Sequence, residues 1–250
     1  MTWVESVSPS FRARHDSTHA DDADRVLHSL EVAREQLAEC FPATLGGVTV
    51  VLHRSALSLS LARPLVPLAW IGTAPAARRY VAGWSGDELH VLAPEVLVAR
   101  ASKVPGSREM LELTAAALYA RAVVVENNQD LPRRLTPARV AAELRWAWLI
   151  EGGARWFSGQ AEYARPAIAR RLREGSRPSF PPGPRDALLL GGTVIDLLAR
   201  EEGEAAAVEF VCRLHPQGPR AALSKAFRGR PLSQTEAAWR SHLARIAASG

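Results

Sequence analysis

The sequence has few cysteines and no long apolar run, and both absences exclude classes of protein. Two cysteines, Cys40 and Cys212, are too few for a disulfide framework, and no C-x-x-C pair indicates a cysteine zinc site. Each lies in an apolar helical pattern, which favours a buried free thiol, although the two could form a single bridge. No stretch of about 18 apolar residues occurs, so the sequence predicts no transmembrane helix.

Lysine is scarce, so the positive charge of the chain comes from arginine. Lys103 and Lys225 are the only lysines, which leaves 29 arginines among the 31 basic residues. With 26 acidic residues the net charge is +5, which could indicate a nucleic acid or a membrane surface as partner. The arginines are scattered along the chain and no nucleic-acid-binding motif accompanies them. The sequence therefore predicts a solvated basic surface and disfavours a nucleic-acid partner.

The N-terminal residues show no basic region followed by an apolar stretch, and hence no signal peptide. Together with the absence of a spanning segment, this predicts a cytoplasmic protein with no membrane partner. A domain trimmed from an exported protein would show the same features.

The length of 250 residues fits one large domain or two small ones, and the hydrophobic fraction of 47% allows a sizeable core. Hydrophobic periodicity predicts strands in the N-terminal part and helices elsewhere. The predicted N-terminal elements are a strand over 3–15, an amphipathic helix over 21–40, a buried strand over 48–52, an irregular segment over 56–80 and a hairpin over 81–92. Helices are then predicted over 109–125, 138–149, 151–160, 164–174, 186–202, 204–214, 220–227 and 233–248, with a proline-rich linker over 176–184.

A pair of histidines and a pair of glycines each predict a local feature. His15 and His19 have the spacing of two metal ligands, but the turn and cap residues between them predict that they do not share a helical face. Gly152 and Gly153 interrupt an apolar helical segment, which predicts a close approach of two backbones.

Two strings carry the functional signal of this chain. The first is Met110-Leu111-Glu112-Leu113-Thr114-Ala115-Ala116-Ala117-Leu118. The second is Trp148-Leu149-Ile150-Glu151-Gly152-Gly153-Ala154-Arg155-Trp156-Phe157-Ser158-Gly159. Together they resemble the two active-site helices of the gluzincin metallopeptidases, the thermolysin-like, peptidase MA-like family. Such enzymes carry an H-E-x-x-H helix and a later glutamate ligand within W-L-x-E-G-x-A-x-x-F-x-G.

The resemblance implies an α+β, zincin-like fold. A small mixed N-terminal sheet with an antiparallel edge strand would pack on the motif helix, and a helical lobe would follow. The implied domains are a zincin-like domain over residues 1–175, with degenerate active-site helices, and a helical subdomain over 176–250.

Both zinc histidines are missing from the first string, since Leu111 and Ala115 stand at their positions. Glu112 matches the general base of the family, and Glu151 matches its third zinc ligand. A catalytic zinc site needs three protein ligands, and one carboxylate cannot replace them. Without zinc the attacking water keeps a pKa of ~15.7 instead of ~7. The resemblance therefore predicts no metal, no cofactor and no zinc-peptidase activity.

The retained glutamates allow two interpretations. Facing each other across the former cleft, Glu112 and Glu151 could still perform acid/base chemistry. Alternatively, each is a structural carboxylate paired to a nearby arginine, and this second interpretation is favoured because such pairs are common.

Three functions remain open at this point. The first is an inactive peptidase homologue that binds a peptide, protein or small ligand in the former cleft. The cleft would be lined by Leu111, Ala115, His90, Tyr119 and Trp148. The second is a metal-independent enzyme that uses the two glutamates, and the third is an arginine-rich nucleic-acid binder.

Overall fold

The computed structural model of the protein describes residues 3–132, 136–175 and 177–248. The first β-hairpin replaces the single strand predicted over 3–15. Strands β1 (Trp3–Val7) and β2 (Phe11–Asp16) pair antiparallel. The prediction was wrong because Ser8-Pro9-Ser10 reverses the chain within an otherwise alternating pattern. The Glu31 carboxylate accepts hydrogen bonds from the Ser8 hydroxyl and from the Ser10 backbone, which fixes this turn.

Five strands form one mixed sheet in the order β1-β2-β3-β5-β4. Strand β3 (Val48–His53) runs parallel to both β2 and β5 (Leu89–Leu92), and the short edge strand β4 (Gly83–Ser85) runs antiparallel to β5. The buried strand and the hairpin predicted from the sequence are thereby confirmed. So is the prediction of an α+β fold with a small mixed N-terminal sheet and mostly helices after it.

Helices cover both faces of this sheet. Helix α1 (Ala20–Cys40), close to the predicted 21–40, buries its apolar stripe of Val26, Leu27, Leu30 and Leu37. The segment 56–80, predicted to be irregular, instead contains α2 (Ala56–Ala62) and α3 (Leu65–Gly72). Pro64 separates the two helices, and Pro67 lies in the first turn of α3, where proline is tolerated.

The predicted motif helix is divided at Leu113. Helix α5 (Ser107–Glu112) ends there, and α6 (Thr114–Asn127) continues as an almost entirely buried helix. Between β5 and α5 lies α4 (Pro94–Arg100). Helices α7 (Pro137–Arg145) and α8 (Ala147–Phe157) follow, and α8 carries the second string.

The C-terminal part is helical, as predicted. Its helices are α9 (Arg165–Arg173), α10 (Pro184–Glu202), α11 (Glu204–Val211), α12 (Pro219–Ala226) and α13 (Leu232–Ala248). Ser176, the first residue of the predicted linker and of the predicted second domain, lies outside the described residues. None of the described helices is long and apolar enough to cross a bilayer.

The two cysteines are free, which confirms the prediction of free thiols. Their predicted burial was wrong, because Cys40 ends α1 in an exposed position and Cys212 is only partly buried.

Helix α8 packs backbone to backbone against α10, as its glycines predict. A Cβ atom on Gly152 would overlap the backbone of Gly191, and one on Gly191 would overlap the carbonyl oxygen of Trp148. Both positions therefore require glycine for steric reasons. This contact sets how deeply α8 lies between α6 and the C-terminal helices.

Replacing Gly152 by alanine should lower the free energy of unfolding by about 3 kcal/mol or more, because the new methyl group meets backbone that cannot move aside. Urea unfolding followed by circular dichroism measures the change. Gly192→Ala is the matched control on α10, since its Cβ would meet neighbours only at 3.4 Å or beyond. Equal stability losses in the two variants would contradict this packing argument.

Candidate functional site

A network of three arginines and two glutamates connects α6, α7 and α8. The Glu151 carboxylate on α8 accepts a hydrogen bond from Arg121 Nε on α6 at 2.8 Å, and Arg155 Nη2 lies 3.4 Å from its other oxygen. The second arm of the Arg121 guanidinium donates to Glu143 on α7 at 2.8 Å. Arg139 Nε donates to the same Glu143 at 2.5 Å. We call these five residues the guanidinium network.

Local spacing assembles most of this network. Glu151 and Arg155 are four residues apart on α8, as are Arg139 and Glu143 on α7, so each pair shares a helical face. Arg121 is the one charged side chain between Thr114 and Val125 on α6, and burial requires it to find partners. These arginines were not among the predicted site residues, although the i,i+4 spacings and the isolated arginine were visible in the sequence.

The charges in the network shift the pKa values of its members. Burial alone would raise the pKa of Glu151, but Arg121 and Arg155 outweigh burial and hold it below its usual range. Burial lowers the pKa of Arg155, and Glu151 compensates this only in part. Because three guanidinium groups share two carboxylates, Arg155 is the least compensated cation. Its Nε atom is buried and has no hydrogen-bond partner among the described residues.

The other predicted glutamate lies elsewhere. Glu112 is on the surface at the end of α5, where it accepts a hydrogen bond from Arg108 Nε at 2.7 Å. Arg121, which binds Glu151, comes nine residues after Glu112. Nine residues correspond to a rise of about 13 Å along a helix. The structure thus gives the two glutamates different arginine partners. Each glutamate is therefore paired to a nearby arginine, as the favoured interpretation predicts.

The residues predicted to line a cleft are all buried. Leu111, His90, Tyr119 and Trp148 lie in the hydrophobic interior or at its edge, and the Tyr119 hydroxyl donates to the Leu45 carbonyl oxygen at 2.8 Å. Burial raises the pKa of Tyr119. Ala115, together with Glu112, borders a surface cavity of about 600 Å³ between α1, α4 and α5. The five residues therefore do not line one common cleft.

A larger cavity, about 1010 Å³ in volume, lies where the end of α8 meets α1 and α10. Arg155 borders it, as does Gln160, which is 1% exposed and whose Oε1 atom has no partner in the described part of the chain. Trp156 and Phe157 contribute apolar surface. Exposed acidic residues, Glu162 among them, also line the cavity. We call this space the α8 cavity.

A second polar cluster lies at the parallel strands β3 and β5 of the sheet. His53 on β3 and His90 on β5 are stacked, and His53 Nε2 is 2.9 Å from His90 Nδ1. Arg63 directly follows α2, and its Nη2 atom lies 2.8 Å from Nε2 of His90. Arginine can only donate, so His90 Nε2 accepts and His90 Nδ1 donates to His53. Both imidazoles are therefore neutral in this arrangement.

The groups around the histidine pair oppose its protonation. Burial lowers the pKa of His90 to about 4, with Arg63 and Arg14 adding to the effect. Burial likewise lowers the pKa of His53 to about 4, followed by His90 and Arg63. Glu88 lies 3.4 Å from His90 Nε2 but is ion-paired with Arg14.

His15 and His19 do not come together, as the sequence predicts. His15 lies buried on β2, where its ring is 3.0 Å from the Ser6 hydroxyl. His19 instead meets Asp22 and Glu95, and these three offer potential metal-ligand atoms within 4.8 Å. Its two ring nitrogens face different carboxylates, at 3.2 Å and 3.6 Å, so the arrangement is that of a hydrogen-bonded ion cluster. We assign no metal to it.

The histidine pair should make the protein sensitive to mild acid. The folded state binds fewer protons than the unfolded chain between pH about 6.5 and about 4. The free energy of unfolding should therefore fall as the pH drops through this window, by an amount on the order of 3 kcal/mol for each histidine. Urea unfolding at several pH values measures the slope.

His90→Gln should reduce this pH dependence to about half, because glutamine can accept from Arg63 without titrating, while His53 stays buried. His28→Gln, at an exposed position of α1, is the matched control and should keep the slope of the native protein. If the native protein is as stable at pH 4.5 as at pH 7, or if the two variants behave alike, the assignment of the slope to this pair is wrong.

Comparison with known proteins adds no relative to these observations. No family model matches the chain, and no curated protein matches it. The candidate site is therefore defined by its own geometry, and the likeness to metallopeptidases depends on the residues of the two strings.

Proposed function

We propose that this protein is a non-catalytic relative of the gluzincin metallopeptidases that binds a short peptide. One observation carries the proposal. Glu151, which stands where the family places its third zinc ligand, has guanidinium groups on both sides of its carboxylate. Arginine thus supplies the positive charge that a metal ion would supply, and an arginine pair cannot activate water.

The fold is compatible with such an origin. A small mixed sheet ends in the antiparallel strand β4, and a hypothetical Cβ on Gly83 of this strand would overlap the Leu118 side chain of α6. Helix α6 therefore runs along the edge strand, an arrangement that the zincin-like fold implies. Glu151 on α8 meets α6 from the other side through Arg121.

The contacts favour a different register for the degenerate motif. Arg121 is the residue of α6 that touches Glu151, and Ala117 lies one helical turn before it on the same face. We propose that the lost histidines correspond to Ala117 and Arg121, six residues after Leu111 and Ala115. Leu118 then occupies the position of the general base, and Glu112 has no counterpart in the ancestral site.

The alternative, a metal-independent enzyme using Glu112 and Glu151, has less support. A useful general acid or base at neutral pH needs a pKa near 7, whereas the pKa of Glu151 is lowered. Glu112 has its own arginine partner on the surface. Neither carboxylate faces the other as a catalytic pair would.

The α8 cavity supports the ligand-binding part of the proposal. Its volume of about 1010 Å³ is at the upper end of pockets that take small ligands. Arg155 offers an incompletely compensated cation for a carboxylate, and Gln160 offers an unpaired carbonyl oxygen for an amide N–H. Glu162 on the exposed side could bind an ammonium group. A short peptide has all three groups.

Histidines at the proposed ligand positions should restore a zinc site. Ala117→His with Arg121→His would place two imidazoles opposite Glu151 and free that carboxylate, giving three ligands. We expect about one zinc ion per chain by mass spectrometry of the metal-loaded variant, and none retained by the native protein. Leu111→His with Ala115→His is the matched control and should not retain zinc.

Retention of zinc by the native protein would overturn the non-catalytic assignment. Zinc retention by the 111/115 variant, with none in the 117/121 variant, would overturn the register instead. Circular dichroism of both variants ensures that folded proteins are compared.

Arg155→Gln should weaken peptide binding about ten- to hundredfold, because a charge-assisted hydrogen bond to the peptide carboxylate is lost. Isothermal titration calorimetry with a panel of short peptides measures it, and their C-terminal amides should bind as weakly as the variant. Arg200→Gln is the matched control, since Arg200 borders the same cavity but is paired with Asp196. Failure of every free peptide to bind the native protein would exclude this ligand class.

A further inference from the structure

Helices α2 and α3 carry a large apolar surface that no other described residue covers. Five aliphatic side chains on their outer side are between 54% and 75% exposed. We call them the leucine patch: Leu57, Leu61, Leu65, Leu68 and Ile71. The inner side of the same helices is apolar as well, with Leu59 and Val66 completely buried.

An apolar outer side is unusual for helices at the surface. Such helices normally expose polar residues, and large exposed apolar patches mark sites of interaction. None of the five residues borders the α8 cavity or the 600 Å³ cavity. Their side chains are exposed to solvent.

The segment around the patch is strongly one-sided in charge. Residues 40–86 contain no aspartate, glutamate or lysine but four arginines. The segment thus contributes +4 of the net charge of +5, because it lacks acidic residues and not because its arginines are dense. The four are Arg54, Arg63, Arg78 and Arg79.

These arginines lack carboxylate partners in the described part of the chain. Arg63 donates to His90, Arg78 to the Thr73 carbonyl oxygen and Arg79 to that of Arg100. Arg54 and Arg78 are exposed. Three carboxylates reach the border of the segment. Glu88 is ion-paired with Arg14 and Glu174 with Arg170, while Asp16 is close enough to Arg54 for this guanidinium to help lower its pKa, without forming an ion pair with it. The positive charge beside the leucine patch is therefore neutralised only in part.

We infer that the leucine patch and its arginines bind the surface of an anionic lipid membrane. The aliphatic side chains would enter the boundary between headgroups and acyl chains, and the arginines would bind lipid phosphates. This is an interfacial contact, which needs no spanning helix. It goes beyond the proposed function and departs from the sequence-based prediction of no membrane partner.

Other occupants fit these observations less well. A second copy of the chain would bring the exposed arginines Arg54 and Arg78 of two copies towards each other, which opposes self-association. A nucleic acid would use the arginines but would leave five aliphatic side chains in water. A lipid surface satisfies both the apolar and the cationic groups.

Vesicle sedimentation tests this inference with the full chain. The native protein should sediment with vesicles of phosphatidylcholine and phosphatidylglycerol, less with phosphatidylcholine alone, and less again at high salt. Replacing Leu57, Leu61, Leu68 and Ile71 by glutamine should lower the partition coefficient about tenfold or more, because apolar area drives insertion. Arg54→Gln with Arg78→Gln should remove the preference for anionic vesicles.

Control variants carry substitutions of the same kind elsewhere. Val7→Gln with Leu144→Gln replaces exposed apolar residues outside the patch, and Arg220→Gln with Arg245→Gln removes the same charge from the C-terminal helices. Both controls should bind like the native protein. All substituted positions are exposed, and urea unfolding verifies that each variant is folded.

Several results would overturn the inference. These are no binding of the native protein to anionic vesicles, equal binding by the patch variant, or a native oligomer that the patch substitutions convert to a monomer. Binding to duplex DNA that depends on Arg54 and Arg78 but not on the leucines would overturn it too. None of these measurements involves zinc or a peptide, so the outcome is independent of the proposed function.

Discussion

The ion pair between Arg121 and Glu151 constrains the structure around the candidate site. Burying either side chain without the other would cost free energy, because an isolated buried charge is far more costly than a paired one. The pair therefore fixes α6 and α8 at one relative position. Through its second arm Arg121 also holds Glu143, and with it α7. The apolar faces of these helices could slide past each other, but this hydrogen-bonded geometry allows one register.

The sheet separates two regions of different chemistry. On the face that carries Val50, Leu52 and Val91, α1 and α6 build a continuous apolar core. Alternation along the strands directs His53 and His90 to the other face, where Arg63 meets them. Helices α2 and α3 belong to this second side. The protein thus places the guanidinium network and the proposed lipid contact on different parts of the molecule.

Sequence patterns predicted the fold better than the site. The strict periodicity of α1, the apolar run of β3 and the glycines of α8 each depend on one local rule, and each prediction is confirmed. The first hairpin and helices α2 and α3 were not predicted, because proline occurs in several kinds of local structure. Pro9 lies in a turn, whereas Pro64 and Pro67 lie at the start of a helix, and composition alone does not distinguish these cases.

The candidate site was harder to predict because its assembly depends on tertiary contacts. The string around Leu113 predicted a cleft at Leu111 and Ala115, whereas the contact between Arg121 and Glu151 shows which face of α6 meets α8. The charged residues within apolar helices would have indicated the guanidinium network from the sequence.

The backbone contact between Gly152 and Gly191 has a consequence for how this protein can evolve. Gly152 directly follows Glu151, so a larger residue at either glycine would push α8 outward and carry the carboxylate away from its guanidinium partners. The close contact of α8 with α10 and the neutralisation of the Glu151 charge thus depend on the same residues. In descendants of this chain, the two small residues and the acidic position should be lost as a set or not at all.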